Sequence, residues 1–177
     1  MSDIDNIKMP NYDRFEVRIN RTSLPWTLGN KLDVAEIHIN HQPLIELVRQ
    51  VEEPLVRAEI QERRSAGETI DESDFPPGDY LYLPPSRILL PSRNLLDEPW
   101  HCGFELQSND PQAGKAIVLG CTCGVIQCWF MQVRIALNES TVEWADFGQF
   151  HRDWQYSLGP FKFDREQYES ELCKSYV

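Results

Sequence analysis

The chain has 177 residues, with 17 basic against 28 acidic side chains and a formal net charge of −11. Its length and its 41% hydrophobic content suit a globular domain. Nucleic-acid binding depends on Lys and Arg neutralising phosphates, so an acidic chain without a basic run predicts no nucleic-acid or membrane-surface role. Its acidic field would instead steer a basic protein partner.

The first residues, MSDIDNIKMPNYDR, lack the basic region and apolar run of a secretory signal, and we expect residues 1–12 to form a loose tail. The longest apolar stretch, residues 116–131, is interrupted by glycines and is shorter than the about 20 residues of a spanning helix. These features predict a cytoplasmic protein. Its five cysteines are then expected to be thiols or metal ligands rather than disulfides.

The first third of the chain predicts a strand, a turn and a helix. Apolar and charged residues alternate in residues 15–19, and residues 34–39 are a second strand candidate, with His38 pointing outward and His41 in the following turn. Residues 43–52 predict a short amphipathic helix, because apolar residues recur there at helical spacing: Leu44, Leu47, Val48 and Val51.

The middle of the chain is charged and then rich in proline, which argues against central strands and long helices. Residues 55–64 could form a further helix or an edge strand. Residues 65–100 are predicted to be a loop-rich insertion, with short extended pieces at 80–83 and 88–90.

The C-terminal third shows clearer strand patterns. Strands are predicted at residues 116–119, 129–137, 141–144 and 161–163. Asp164, with Gln167 three residues later, resembles a capping box, and Tyr168 and Leu172 would lie on the inner face of the helix that follows. The sequence therefore predicts a single α+β domain over residues 1–177. It would have an antiparallel or mixed sheet with a C-terminal hairpin, two or more short packed helices and a long proline-rich loop region.

Three cysteines, Cys121, Cys123 and Cys128, lie within eight residues between two predicted strands. If Cys121 and Cys123 continue the strand, their side chains share a face, and a turn at Gly124 could bring Cys128 back opposite them. Zinc takes four ligands and accepts thiolate or imidazole. The sequence offers three candidates for a fourth ligand: His101, Cys102 and His151.

Two other interpretations of this cluster stay open. The spacing departs from the paired cysteines of structural zinc sites, and free cysteine is among the most buried residue types, so the three thiols could be small core residues. They could also be reactive or redox-active.

An aromatic segment with charged residues follows at 143–156, EWADFGQFHRDWQY. Its aromatic residues recur every three or four positions and suggest a helical face. His151, Arg152 and Asp153 could supply a base, a cation and an acid to an active site. Alternatively, they form the charged rim of a core-lining helix or loop.

Together, the run GCTCGVIQCWFMQVRI and the later TVEWADFGQFHRDWQYSLGPFKFDREQYE resemble a group of uncharacterised bacterial proteins. Their members carry a similar Gly-Cys-x-Cys-Gly…Cys-Trp hairpin, a further Trp, an aromatic–basic segment and a Phe-Asp…Gln-Tyr helix, and residues 37–51 are also similar. The resemblance covers about half the chain and implies a bacterial source but no chemistry. Where members often have Trp-Pro, this chain has Trp129 and Phe130.

Three functions follow as hypotheses. The first is a non-enzymatic interaction protein whose acidic surface binds a basic partner, by analogy with toxin-immunity proteins, with Tyr80, Tyr82 and Trp100 as anchors. The second is a metal-binding domain with structural zinc at the three clustered cysteines, and no other cofactor is predicted. The third is an enzyme that uses a cysteine or the His151 region.

Overall fold

The computed structural model describes residues 11–74 and 76–176, so almost all of the predicted tail lies outside the described residues. Within these ranges the chain forms eight strands and three helices: β1 (Phe15–Thr22), β2 (Leu32–Ile39), β3 (Gln42–Pro43), α1 (Leu44–Ser65), β4 (Tyr80–Tyr82), α2 (Pro85–Ile88), β5 (Lys115–Cys121), β6 (Met131–Leu137), β7 (Thr141–Gln149), β8 (Phe161–Asp164) and α3 (Arg165–Leu172). The strands form two antiparallel sheets, which confirms the predicted α+β class. None of the described helices is long and apolar enough to cross a membrane.

The smaller sheet has the order β1-β2-β3, and β1 pairs with β2 from Phe15↔Ile39 to Thr22↔Leu32. A 3-10 turn at Pro25–Thr27 lies between these two strands. β2 is the central strand, and five of its eight residues are buried, including His38. The prediction that His38 points outward is therefore wrong.

The larger sheet is a meander with the order β4-β5-β6-β7-β8. It is joined to the smaller sheet by a hydrogen bond in which the Ala35 amide donates to the Leu83 carbonyl at 2.9 Å. Phe15 of β1 packs on Tyr168 of α3, with ring centroids 4.4 Å apart, and on Trp144 of β7 at 5.4 Å. The buried side chains of both sheets thus form one continuous core.

Helix α1 runs to Ser65, well beyond the predicted end at residue 52, with Pro54 inside it. The proline-rich region also contains α2 (Pro85–Ile88), where an extended piece was expected to begin. Pro54 lies on the exposed side of α1, where the carbonyl that loses its hydrogen bond can bind water. The buried side of α1 is an unbroken stripe with a period of four residues: Leu44, Val48, Glu52, Val56 and Ile60. Packing of this stripe outweighs the local cost of proline.

Helix α3 begins as predicted, because the Asp164 carboxylate accepts the Gln167 amide at 2.9 Å, and Tyr168 and Leu172 are buried. The reciprocal half of the capping box is not formed. The Gln167 side chain instead donates to the Phe15 carbonyl at 2.6 Å and accepts the Phe15 amide at 3.3 Å. Gln167 therefore ties α3 to β1.

The segment 143–156 is not a helix: β7 runs to Gln149, and an irregular stretch follows. Arg134 pairs with Ala145 and Gln132 with Gly148, so β7 carries one extra residue between these pairs. Asp146 in this bulge has φ +56°. The extra residue brings Trp144 and Phe147 to the same buried face, and this bulge explains the three-residue spacing that resembled a helical period.

Candidate functional site

The three clustered cysteines lie in a loop, residues 121–128, which we call the cysteine loop. β5 ends at Cys121, and the Gly124 amide donates to the Cys121 carbonyl at 3.1 Å. A second turn follows, in which the Cys128 amide donates to the Val125 carbonyl at 3.0 Å. The chain therefore folds back through two successive turns, and the strand does not continue through Cys123 as expected.

The three thiols cluster around Cys123. Hydrogen bonding with the Cys121 thiol, the Val125 amide and the Cys128 thiol lowers the pKa of Cys123, and the Val125 amide lies 3.4 Å from its sulfur. Burial raises the pKa of Cys121 to about 11, whereas hydrogen bonding with Cys123 raises the pKa of the exposed Cys128. All five cysteines of the chain carry free thiols.

Two of the three residues proposed as a fourth ligand, Cys102 and His151, contact the cysteine loop through Gln127. The Cys102 carbonyl accepts the Gln127 side-chain amide at 3.3 Å, while burial raises the pKa of the Cys102 thiol to about 11. His151 donates from Nε2 to the Gln127 carbonyl at 2.7 Å, and the His101 carbonyl accepts the Phe104 amide. Within residues 11–74 and 76–176, no group of three or more His, Cys, Asp or Glu side chains is arranged to hold a metal ion.

An exposed apolar patch lies against the cysteine loop. We call it the apolar tip and define it as Trp26, Leu28 and Val125, which are 44%, 90% and 53% exposed. The Trp26 indole donates to the Thr122 carbonyl at 2.6 Å. Its ring also covers Gly124, where an added Cβ would lie 2.9 Å from the ring and where φ is +87°. Only glycine fits this position, and the contact fixes the indole in place.

A run of exposed carboxylates adjoins the tip. Residues 68–79 contain no Lys or Arg, and we call their acidic side chains the acidic loop: Glu68, Asp71, Glu72, Asp74 and Asp79, all exposed. Glu68 and Glu72 form ion pairs with Arg63 and Arg64 at the end of α1. Asp79 accepts the Thr122 hydroxyl at 3.2 Å, which joins the acidic loop to the cysteine loop.

The three residues expected to anchor a partner belong neither to the apolar tip nor to the acidic loop. Tyr80 and Tyr82 are only 5% and 8% exposed, because alternate residues of β4 point into the core. This corrects the expectation that they are surface anchors. Trp100 is half-buried, and the Arg87 guanidinium stacks on its ring at 4.1 Å.

A buried carboxylate, which sequence reasoning missed, lies at the centre of α1. Glu52 is 1% exposed and accepts the hydroxyls of Tyr80 at 2.5 Å and Tyr156 at 2.6 Å, together with the Gly78 amide at 2.7 Å. Burial raises the pKa of Glu52 in spite of these hydrogen bonds. The signal in the sequence was the apolar stripe of α1, in which Glu52 holds the central position.

The aromatic segment after β7 packs its charged residues on α1. Arg152 donates to Glu59 at 2.9 Å and lies over the Trp129 ring at 5.1 Å, and the Trp154 indole donates to Glu59 at 2.9 Å. A cavity of about 200 Å³ beside them is also lined by Cys121 and Asp79. Arg152 therefore forms an ion pair with Glu59 of α1 and lies over the Trp129 ring.

No protein-family model, curated protein or solved structure matches the chain, so a functional assignment depends on the chemistry of these sites.

Proposed function

We propose that the protein is a non-enzymatic binding protein that recognises a basic segment of another protein through the apolar tip and the acidic loop. The observation that carries this proposal is the apolar tip. Six large hydrophobic side chains are exposed among the described residues, and three of them, Trp26, Leu28 and Val125, are grouped at this point. Grouped apolar side chains on a surface mark interaction sites more often than scattered ones.

The tip is also held in a fixed conformation, which favours binding. Trp26 is fixed by its hydrogen bond to Thr122 and its contact with Gly124, so little side-chain entropy would be lost when a partner docks. Leu28 is 90% exposed and has a left-handed backbone conformation, with φ 51° and ψ 39°. This conformation costs about 1–2 kcal/mol for a residue other than glycine. Such strain concentrates at functional sites.

Charge argues for a basic partner. Asp74 and Asp79 are exposed, and Asp79 accepts the hydroxyl of Thr122, whose carbonyl holds the Trp26 indole of the tip. The whole chain carries a net charge of −11. Complementary charge accelerates association and disfavours acidic competitors. The partner we infer therefore offers an apolar side chain to the tip and Lys or Arg side chains to the acidic loop.

The test is photo-crosslinking in the source cells, with the crosslinking residue placed at position 28, followed by affinity measurements on the purified pair. We expect a captured protein with a basic binding segment. Leu28→Asp should weaken its affinity by about tenfold or more, and Asp74→Lys with Asp79→Lys should mainly slow association.

The matched control is Glu139→Lys. It makes the same charge change as either single acidic-loop substitution, and half that of the double variant, on an exposed residue of the β6–β7 loop at the end of β6 away from the cysteine loop. It should leave binding unchanged. An acidic or neutral partner, or equal effects of Glu139→Lys and the acidic-loop variant, would contradict the proposal.

A second candidate function is zinc binding by Cys121, Cys123 and Cys128, supported by the clustering of their thiols around Cys123. The loop would have to rearrange to complete four ligands. Cobalt(II) titration tests this, because thiolate ligation produces charge-transfer absorption that Cys123→Ser should abolish and Cys173→Ser, at the remaining exposed cysteine, should not. Equal absorption in both variants would exclude the site.

A further inference from the structure

One buried amide on the sheet lacks a hydrogen-bond acceptor. Gln149, the last residue of β7, is 1% exposed. Its Oε1 accepts the His151 amide at 2.6 Å, which fixes the orientation of the side chain. Its Nε2 is buried and makes no hydrogen bond. A buried donor without an acceptor is rare in folded proteins, because its desolvation is not offset.

Gln149 is one of the residues that line a cavity of about 410 Å³ between the end of β7 and residues 152–156. The volume falls within the range of about 300–1,000 Å³ that is typical of small-molecule sites. Lys115 and Gly148 also line the cavity, and Lys115 is itself only 4% exposed. Tyr156 lines it as well, with its hydroxyl committed to Glu52.

The Lys115 ammonium of this cavity shares its carboxylate partner with a second cation. The Lys115 ammonium lies 3.0 Å from an oxygen of Asp146, but that same oxygen is 3.5 Å from Nε of Arg134. One half-exposed carboxylate therefore serves two cations. Arg152 at the rim pairs with Glu59, and Asp153 beside it is exposed.

We propose that this cavity is a binding site for a small carboxylate, which would accept hydrogen bonds from the Gln149 amide and the Lys115 ammonium. A carboxylate offers about four lone-pair sites and one negative charge, which match the Gln149 amide donor without an acceptor and the Lys115 ammonium, whose Asp146 partner also serves Arg134. A neutral amide of the same shape would satisfy only part of this set. The site is independent of the proposed function, since none of its lining residues belongs to the apolar tip or the acidic loop.

The experiment is an NMR titration of the ¹⁵N-labelled protein with acetate, succinate and benzoate, and with the corresponding amides as controls. The side-chain amide signals of Gln149 are the readout, assigned by their disappearance in Gln149→Glu. We expect a saturable shift of these signals with at least one carboxylate and none with its amide.

Three variants locate the site. Lys115→Met should weaken binding by about tenfold or more, since a hydrogen bond to a charged group is lost, whereas Lys162→Met, at an exposed lysine, should not. Gly148→Ala keeps all the polar groups and adds a methyl 3.6 Å from the Lys115 nitrogen, so it should fold normally and weaken binding by occupying the cavity.

The proposal is overturned if no carboxylate in this set moves the Gln149 signals, or if the amides move them equally. It is also overturned if Gly148→Ala and Lys115→Met both bind like the wild type. The Gly148→Ala result stands even if Lys115→Met does not fold.

Discussion

Glu52 and Gln149 are both 1% exposed, yet their hydrogen bonding differs. The Glu52 carboxylate accepts two hydroxyls and one backbone amide and so joins α1 to β4 and to the segment after β7. Gln149 uses its oxygen but leaves its amide nitrogen without an acceptor. A fully bonded polar group in a core stabilises the fold, whereas a donor left open beside a cavity indicates a place where a ligand can bind.

The largest expected effect is that of Glu52→Ala. The change would leave the hydroxyls of Tyr80 and Tyr156 and the Gly78 amide without their acceptor, at about 1–3 kcal/mol for each buried orphan. We expect the free energy of unfolding to fall by about 3 kcal/mol or more, measured by urea denaturation.

The neighbouring residue provides the control for this measurement. Glu53 is exposed on the same helix, so Glu53→Ala should change the free energy of unfolding by no more than about 0.5 kcal/mol. Similar losses in the two variants would mean that the Glu52 cluster does not hold the elements together.

A smaller effect on the free energy of unfolding is expected when the pH is changed. Burial, with a contribution from Asp79, raises the pKa of Glu52 above its ordinary value of 4.5. Between the unfolded and folded pKa values the native state binds more protons than the unfolded state, so stability falls as pH rises. The Glu52→Gln variant lacks this titration. The unfolding free energy of the wild type minus that of Glu52→Gln should therefore decrease as pH rises from about 4.5 through the folded pKa. A difference that stays constant across pH would show that the pKa is not raised.

Local sequence patterns predict two kinds of element well: strands in which apolar and charged residues alternate, and helices that begin with a capping side chain. The strand over residues 15–19 and the helix that begins after Asp164 were both predicted, because alternation and a capping side chain act within a few residues. For residues 55–64 the pattern left a helix and an edge strand open, and the structure shows that they continue α1 through Pro54, with Val56 and Ile60 buried. The bulge at Asp146 was missed because one inserted residue gives a strand a spacing close to that of a helix.

Sequence patterns predicted the candidate sites less well than they predicted the fold. The turn at Gly124 was predicted, and the three cysteines do lie together. The apolar tip was not found, because the contact between Trp26 and Gly124 that fixes it joins residues almost 100 positions apart. Lys115 and Gln149 resemble ordinary surface residues in the sequence, and only the bulged sheet buries them.

The smallest expected effect is on the free energy of unfolding, and it tests whether the Gln149 amide lacks an acceptor while the Gln132 amide has one. Gln149→Leu removes the buried donor that has no acceptor, which is favourable, and the hydrogen bond to the His151 amide, which water can partly replace because His151 is exposed. We expect the free energy of unfolding without ligand to change by less than about 1 kcal/mol. The matched control is Gln132→Leu, since Gln132 is also 1% exposed but donates to the Gln112 side chain. That variant should lose about 1–2 kcal/mol, because it leaves the Gln112 oxygen without its donor. Parallel urea denaturation of both variants tests the difference. If Gln149→Leu is destabilised as much as Gln132→Leu, the Gln149 amide already has an acceptor in the native protein, and the contrast between the two clusters does not exist.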